Sequence, residues 1–300
     1  MTGAIWAVAA GLLFGAFQAV NRHAVRGMEV VVATFIQLLV STLILASISL
    51  LTENIALLLT APPTAWLFFG LAGFVHFFIG WTFLNASQKH VGAARTGSLI
   101  GTIPLFGIVL AALTFGEIPS LAALAATALI MSGVYLVNYS RIKQSEPAAA
   151  TGLATGWRSL LPGLTAAFCW AVSPIFIRYG LTVLPSPMLG LTIGITASTL
   201  GYGLVLAIRG LSSPLSQIPA SALLTKVMAG ILVALATWTY WTAFGLTPVA
   251  IVLALALLSV PVVNILSPLV VERELEQVTA QVWFGSGLIV LGSLVLIFVR

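Results

Sequence analysis

Long apolar runs alternate with short polar connections along the whole chain. A helix rises about 1.5 Å per residue and a bilayer's hydrocarbon core is about 30 Å thick, so about 20 apolar residues cross it. Ten runs meet this condition, at 3–21, 31–51, 66–85, 92–115, 120–139, 161–180, 187–208, 223–246, 249–271 and 279–299. The connections contain turn formers such as APPT (61–64) and LPSP (184–187). The pattern predicts an all-α integral membrane protein with ten transmembrane helices.

The composition supports this prediction. Charged residues make up 6% of the 300 residues and hydrophobic residues 60%, whereas soluble domains carry about 25% charged residues. Mean hydropathy is +1.14. The net charge is +5, but the basic residues are scattered singly, which argues against nucleic acid as a partner. We expect the lipid bilayer as the environment, the inner membrane of the cell as the location, and no obligate protein partner.

The two halves of the chain resemble each other. Three pairs of segments align in the same order, and these are 104–117 with 261–274, 14–22 with 170–178, and 131–137 with 289–297. The longest polar link separates the halves. We therefore predict a first five-helix repeat over 1–143, a linker over 144–160 and a second repeat over 161–300. Since five spans is an odd number, the second repeat enters from the opposite side, and such inverted repeats are typical of transporters.

The segments IPLFGIVLAALTFGE (103–117) and VPVVNILSPLVVERE (260–274) also suggest a family. Through them the chain resembles the drug/metabolite transporter superfamily, in its ten-helix EamA-type branch, and its layout is similar to that of the aromatic amino acid exporter subgroup. The resemblance implies a secondary transporter with a central cavity between the repeats. It further implies small metabolites, most of all amino acids, as substrates, and both termini in the cytoplasm.

Two prolines mark the expected binding region. Pro104 and Pro261 lie at matching positions in the fourth span of each repeat. Proline donates no backbone hydrogen bond and interrupts a helix, and interrupted helices at matching positions are a pointer to a transporter's binding site. We therefore predict helix breaks at both prolines and a substrate site close to them.

Polar and aromatic side chains inside the spans complete the predicted site, because polar groups in spans usually face the bundle interior. The predicted substrate-binding residues are Gln18, Asn21, His76, Trp81, Gly101, Trp170, Ser173, Trp238, Tyr240 and Trp241. For Trp170 and Trp238, cavity lining and plain core packing remain alternatives. Trp6, Trp66, Trp157 and Trp283 lie near span ends, where tryptophan commonly marks the interface.

The stretch FVHFFIGW (74–81) places His76 near the middle of the third span. One interpretation is a neutral imidazole bonded to a neighbouring helix, and the other is a group that binds substrate. We favour substrate binding, because ionisable residues inside membranes are usually functional. Arg178, near a span end, is expected to extend to the headgroups, and Glu117 is expected to be a loop or helix-start residue.

Other functions fit the sequence less well. An intramembrane enzyme needs a carboxylate pair, a metal cluster or an activated nucleophile, yet the chain has no Asp, no Glu in mid-span and three dispersed histidines. No P-loop is present, and we expect no cofactor and no metal. Alternatives within transport are a lipid or polyprenyl flippase and an exporter of nucleotide-sugar-like or other metabolites.

Orientation and energy coupling can also be predicted. With the N-terminus inside, most basic residues, Lys226 among them, would lie outside. The positive-inside rule therefore favours external termini, whereas the family resemblance implies cytoplasmic ones, which we adopt. Because proton-coupled carriers usually use an embedded Asp or Glu, we expect facilitated movement without obligatory proton exchange.

Overall fold

The computed structural model describes residues 2–24, 28–145, 157–210, 218–270 and 279–298. No strand occurs among these residues. The α-helices are α1 (Thr2–Ala24), α2 (Val30–Thr52), α3 (Ala56–Thr60), α4 (Pro63–Gly73), α5 (Trp81–Val91), α6 (Ala93–Ile100), α7 (Ile103–Phe115), α8 (Leu121–Ser145), α9 (Leu161–Val183), α10 (Pro187–Arg209), α11 (Ala220–Leu246), α12 (Val249–Leu255), α13 (Ser259–Val270) and α14 (Ala280–Phe298). A π-helix, Phe74–Gly80, joins α4 to α5, and the 3-10 turn Ala256–Leu258 joins α12 to α13.

These helices form ten segments within the described residues that are long and apolar enough to cross a membrane. The prediction of an all-α membrane protein with ten spans is confirmed, and most ends lie within a few residues of those predicted. Local chemistry explains several boundaries. Gly92 separates the third span from the fourth with φ of +83°, and Gly116 ends α7 with φ of +65°, backbone conformations that glycine adopts without strain.

The fourth and ninth spans are both interrupted. The fourth breaks at Gly101 and Thr102, between α6 and α7. The ninth breaks at the 3-10 turn between α12 and α13. In each case the proline, Pro104 or Pro261, lies in the first turn after the break, where its missing N–H costs little. The helix thus ends a few residues before the proline and restarts at Ile103 or Ser259, one or two residues before the proline.

Close helix contacts hold the bundle together. α1 packs on α11, α2 on α10, α8 on α14, and the third span on α9. Where α4 meets α10, a Cβ added at Gly73 would lie 2.0 Å from the carbonyl oxygen of Gly194. Thr42 of α2 and Thr199 of α10 share a hydrogen bond of 2.8 Å. Small residues let membrane helices approach this closely, and hydroxyl pairs then bond across the contact.

The bundle has two sides, which we name by the first helix. The N-side holds the start of α1 and the ends of α2, α7, α9 and α11, and the far side holds the end of α1 and the start of α11. On the N-side, Ser186 accepts a hydrogen bond from the Leu189 N–H (3.1 Å) and donates one to Glu53 (2.9 Å). The linker at 146–156 and Glu274 lie outside the described residues.

Candidate functional site

His76 lies in the π-helix of the third span and is buried. π-helical turns widen a helix locally and are frequent at functional sites. Trp170 of α9 donates its indole N–H to the backbone carbonyl of His76 at 3.0 Å. A Cβ added at Gly80 would lie 2.6 Å from the Trp170 Nε1 atom, so the glycine leaves room for the indole. The helix irregularity and the neighbouring glycine together bring α9 against this histidine.

Ser173 completes the contact between His76 and α9. The Nδ1 atom of His76 and the Oγ atom of Ser173 lie 2.9 Å apart and share a hydrogen bond. Both side chains are buried. A buried imidazole needs such a partner, since an unbonded polar group in an apolar interior costs about 1–3 kcal/mol. Three predicted site residues, His76, Trp170 and Ser173, therefore meet across the two halves of the chain.

Aromatic rings surround this polar pair. The His76 ring is 5.8 Å from Trp170 and 6.3 Å from Tyr240 of α11, between ring centroids. Tyr240 in turn contacts Phe14 of α1 at 5.5 Å. We name the set His76, Ser173, Trp170 and Tyr240 the central cluster. It presents aromatic faces and hydrogen-bonding groups in one place, a combination suited to an amphipathic small molecule.

A second group of predicted residues lies toward the far side. Phe17 stacks on Trp81 with ring centroids 6.1 Å apart. One turn further along α1, Asn21 accepts a hydrogen bond from the Lys226 ammonium. Lys226 also donates to the Gln37 side-chain oxygen at 2.6 Å. Trp81 is connected to the central cluster through Phe77, whose ring centroid is 5.5 Å from Trp81 and 4.6 Å from His76.

The remaining predicted residues have other surroundings. Trp241 is fully buried and stacks on Phe69 at 6.0 Å, in the packed core rather than in a cavity. Trp238 contacts Trp6 at 5.6 Å, near the N-side. Gly101 is buried at the break of the fourth span, where a Cβ would lie 2.9 Å from Val134. Gln18 is exposed.

On the N-side, Arg178 and Glu117 form contacts that join several helices. They form an ion pair, and Arg178 Nε donates to the Phe244 carbonyl at 3.0 Å. The other Glu117 oxygen accepts the Val249 N–H at 2.9 Å, at the start of α12. Glu117 therefore caps a helix, but the expectation that Arg178 merely extends to the headgroups is wrong. The carboxylate holds it because two opposite charges so close attract more strongly than either binds distant headgroups.

A groove opens beside this ion pair. It has a volume of about 390 Å³ and is lined by Phe115, Arg178, Tyr179, Leu181, Thr182, Phe244 and Gly245. It lies at the surface of the N-side and does not reach the central cluster. Because most of its lining is apolar and it contains one paired cation, we assign it no ligand. No group of residues suited to a metal ion occurs in the described part of the chain.

Lys226 and Gln37, two buried polar residues that bond to each other, were not identified from the sequence. Lys226 was counted with the charges of the connections, yet its side chain is 2% exposed. Its position inside the predicted span 223–246 was the available signal. Gln37 is 1% exposed and is likewise a polar residue inside a predicted span. Neither residue reveals its partner in the sequence, because the partners lie on other helices.

Known proteins resemble this chain in sequence and in fold. Residues 1–139 match the EamA-like transporter family. None of the curated proteins matches the chain. Among solved structures, a chain described as "Crystal structure of protein" superposes with a TM-score of 0.77 at 18% sequence identity, over 99% of this chain and 97% of that one. At this identity the similarity supports the fold alone.

Proposed function

Because residues 1–139 match the EamA-like transporter family, we propose that the whole chain is a secondary transporter that moves small metabolites, most of all amino acids, by alternating access. The observation that carries the proposal is the central cluster. His76 comes from the first half of the chain, whereas Ser173, Trp170 and Tyr240 come from the second. A site built from both halves changes shape when the halves move relative to each other, which is what alternating access requires.

The helix contacts support two inverted repeats. Thr42 and Thr199, which bond to each other, are 157 residues apart, the same separation as that of Pro104 and Pro261. Equivalent residues can bond to each other where a two-fold axis passes between them. Contacts between spans also occur in equivalent pairs, since the first span packs on the eighth and the sixth packs on the third.

Contacts between α8 and α14 repeat in the same way. A Cβ added at Gly133 would meet the Gly285 carbonyl, and one added at Gly292 would meet the Ala126 carbonyl. Gly292 follows Gly133 by the same number of residues by which Gly285 follows Ala126. The two contacts are therefore exchanged by the proposed two-fold relation, which supports the alignment of Gly133 with Gly292.

Different closure of the two sides supports alternating access. On the N-side, the Arg178–Glu117 ion pair connects four helices, α7, α9, α11 and α12. Toward the far side, Gln18 is exposed although it shares a strip of α1 with Ala7 and Gly11, both buried. We infer that this strip faces the interior and that the interior opens to the far side at Gln18. In this proposal the structure corresponds to a state that is closed on the N-side and open on the far side.

The chemistry of the central cluster favours amino acids among small metabolites. Aromatic rings hold an apolar side chain by stacking, and they also attract an ammonium group to their faces. The imidazole and the hydroxyl groups of the cluster supply hydrogen bonds. Dianionic substrates such as nucleotide sugars usually need several cations, and the described central cluster contains none.

Transport by the purified full-length chain in proteoliposomes tests the proposal. We expect amino acids with large side chains to move down their gradients faster than through protein-free liposomes. A fluorescent phospholipid in parallel liposomes should stay in its leaflet, because the polar groups of the central cluster disfavour acyl chains. Amino acid flux at the protein-free rate, or lipid flipping instead, would contradict the proposal.

Coupling is measured in the same liposomes with a pH gradient imposed in either direction. We expect equilibration of the amino acid without accumulation, since the described spans contain no carboxylate at mid-depth. Accumulation against the amino acid gradient, driven by the pH gradient alone, would overturn the uncoupled mechanism while leaving transport itself established.

A further inference from the structure

Lys226 is a cation buried between helices rather than at a membrane surface. Its side chain is 2% exposed. The ammonium bonds to the amide oxygens of Asn21 on α1 and Gln37 on α2. Neither of these partners is a carboxylate, so among the described residues the positive charge is solvated by amide dipoles. A buried charge is costly unless it is hydrogen-bonded and paired with an opposite charge. Here the hydrogen bonds come from neutral amide groups.

Gln37 adds an unused donor at the same place. Its side chain is 1% exposed, and its Nε2 atom has no hydrogen-bond partner among the described residues. A buried donor without an acceptor is unfavourable in an apolar interior. The ammonium and this amide N–H₂ group thus offer several donors around one buried point. Donors of this kind are complementary to an anion.

An apolar surface adjoins the donors. Phe17 lies one turn before Asn21 on α1 and packs with Ala229 and Val233 of α11, in a small cluster separate from the main core. Trp81 packs against this cluster and stacks on Phe17. Because one helical turn rises about 5.4 Å, the charged and apolar parts are separated by roughly the length of a small amino acid.

We propose that Lys226, Asn21 and Gln37 bind the carboxylate of a small substrate whose side chain packs against Phe17 and Trp81. This inference rests on the proposed transport function and names a second position on the same route. Lys226 and Tyr240 are fourteen residues apart on α11, roughly 21 Å along the helix. The carboxylate site therefore lies nearer the far side than the central cluster does.

A carboxylate fits this site better than a phosphate does. One ammonium and two amides match a single negative charge, whereas phosphate groups carry about two charges and usually recruit arginine. Access comes from the far side, where Gln18 is exposed one turn before the partly buried Asn21. An amide rotation at Asn21 or Gln37 turns its N–H₂ group toward an incoming carboxylate and frees the ammonium for it.

Binding measurements on the purified full-length chain test the proposal. The probes are L-phenylalanine, L-phenylalaninamide, which lacks the carboxylate, and 3-phenylpropionate, which lacks the ammonium. In the unmodified protein, we expect both carboxylates to bind about tenfold or more tightly than the amide, as a charge-assisted bond predicts. In Lys226→Met, all three probes should bind with similar, weak affinity.

Lys89→Met is the matched control. Lys89 lies at the end of α5 on the same side of the bundle, but its side chain is exposed. The Lys89→Met variant loses the same charge as Lys226→Met and should keep the preference for carboxylates. A preference that is absent from the unmodified protein, or that persists in Lys226→Met, would overturn the inference.

Asn21→Asp keeps the test decisive if Lys226→Met does not fold. This variant is nearly isosteric and places a carboxylate beside the ammonium, where it competes with the ligand. We expect it to lose the carboxylate preference, and retention would count against the site. If binding behaves as expected but liposomes show no transport, the proposed function fails and the site stands. If the protein transports amino acids but these variants keep the preference for carboxylates, the proposed function stands and the carboxylate site fails.

Discussion

At the scale of single residues, His76 makes contacts through both its side chain and its backbone. Its imidazole bonds to Ser173 and its carbonyl accepts the Trp170 indole N–H. The carbonyl contact survives any change of side chain, because it belongs to the backbone. Substitution of His76 therefore separates the ring's role at the site from the packing of the third span against α9.

We predict that His76→Ala retains the fold but weakens transport. Loss of the ring removes three aromatic contacts, with Phe77, Trp170 and Tyr240. It also leaves the Ser173 hydroxyl without its partner, a loss of about 1–3 kcal/mol. Flux in proteoliposomes, measured for each amino acid that the unmodified chain transports, should show a raised KM. His76→Tyr should keep activity and change the order of preference.

His90→Ala provides the comparison for this variant. His90 is an exposed histidine at the end of α5, so its removal should leave transport and melting temperature unchanged. If His76→Ala transports every substrate with the rate and KM of the unmodified chain, the histidine is a packing residue and the substrate binds elsewhere.

At the scale of helices, close approach depends on a few glycines. Gly73 and Gly194 bring the backbones of α4 and α10 into direct contact, and Gly230 does the same for α11 against Gln37 and Val40 of α2. Ser41 of α2 donates to the Gly230 carbonyl at 2.7 Å. These contacts position the helices that carry His76, Gln37 and Lys226.

We predict that Gly73→Ala destabilises the protein. The added Cβ would lie 2.0 Å from the Gly194 carbonyl oxygen, and because this neighbour is backbone, the two helices must separate. Overpacking of this kind costs about 1–3 kcal/mol. Thermal unfolding of the purified protein, followed by circular dichroism in detergent, should show a lower melting temperature.

Gly70→Ala is the control, one turn earlier on the same helix. No atom lies within 4 Å of a Cβ added there, so its effect should stay within about 0.5 kcal/mol. Equal melting temperatures for the two variants would show that α4 and α10 separate without cost, contrary to the close contact.

At the scale of the whole molecule, the Arg178–Glu117 pair connects helix ends on the N-side. The carboxylate bonds to α9 through Arg178 and to α12 through the Val249 N–H. Arg178 also binds the end of α11 through the Phe244 carbonyl. The Glu117 side chain from the first half of the chain thus contacts two helices of the second half, and Arg178 adds a third.

We predict that Glu117→Ala opens the N-side. The substitution leaves Arg178 without its carboxylate and the Val249 N–H without its acceptor. Hydrogen–deuterium exchange followed by mass spectrometry should show faster exchange over 115–121 and 244–252. Exchange over 86–96, on the far side, should stay the same.

Glu53→Ala serves as a second N-side variant. Glu53 accepts a bond from Ser186 and has no part in the Arg178 contact, so its effect should be confined to the start of α10. Unchanged exchange over 244–252 in Glu117→Ala would mean that other contacts close the N-side.

The sequence by itself determined the membrane fold and the positions of its spans. Both depend on residues that are neighbours along the chain, since twenty apolar residues form a spanning helix wherever the helix finally packs. Proline alone does not decide a break, because Pro174 lies inside the continuous helix α9 whereas Pro104 and Pro261 follow interruptions. The sequence also indicated His76, Trp170, Ser173 and Tyr240 as residues of a site, because polar groups inside apolar spans are uncommon.

Only the tertiary structure decided which of these residues meet. It joined His76 to Ser173, buried Trp241 in the core, paired Arg178 with Glu117 and surrounded Lys226 with Asn21 and Gln37. Lys226 and Lys89 both lie near span ends in the sequence, yet one is buried and the other exposed. The difference comes from the helix faces that pack together, which depend on partners more than a hundred residues away and not on the local pattern.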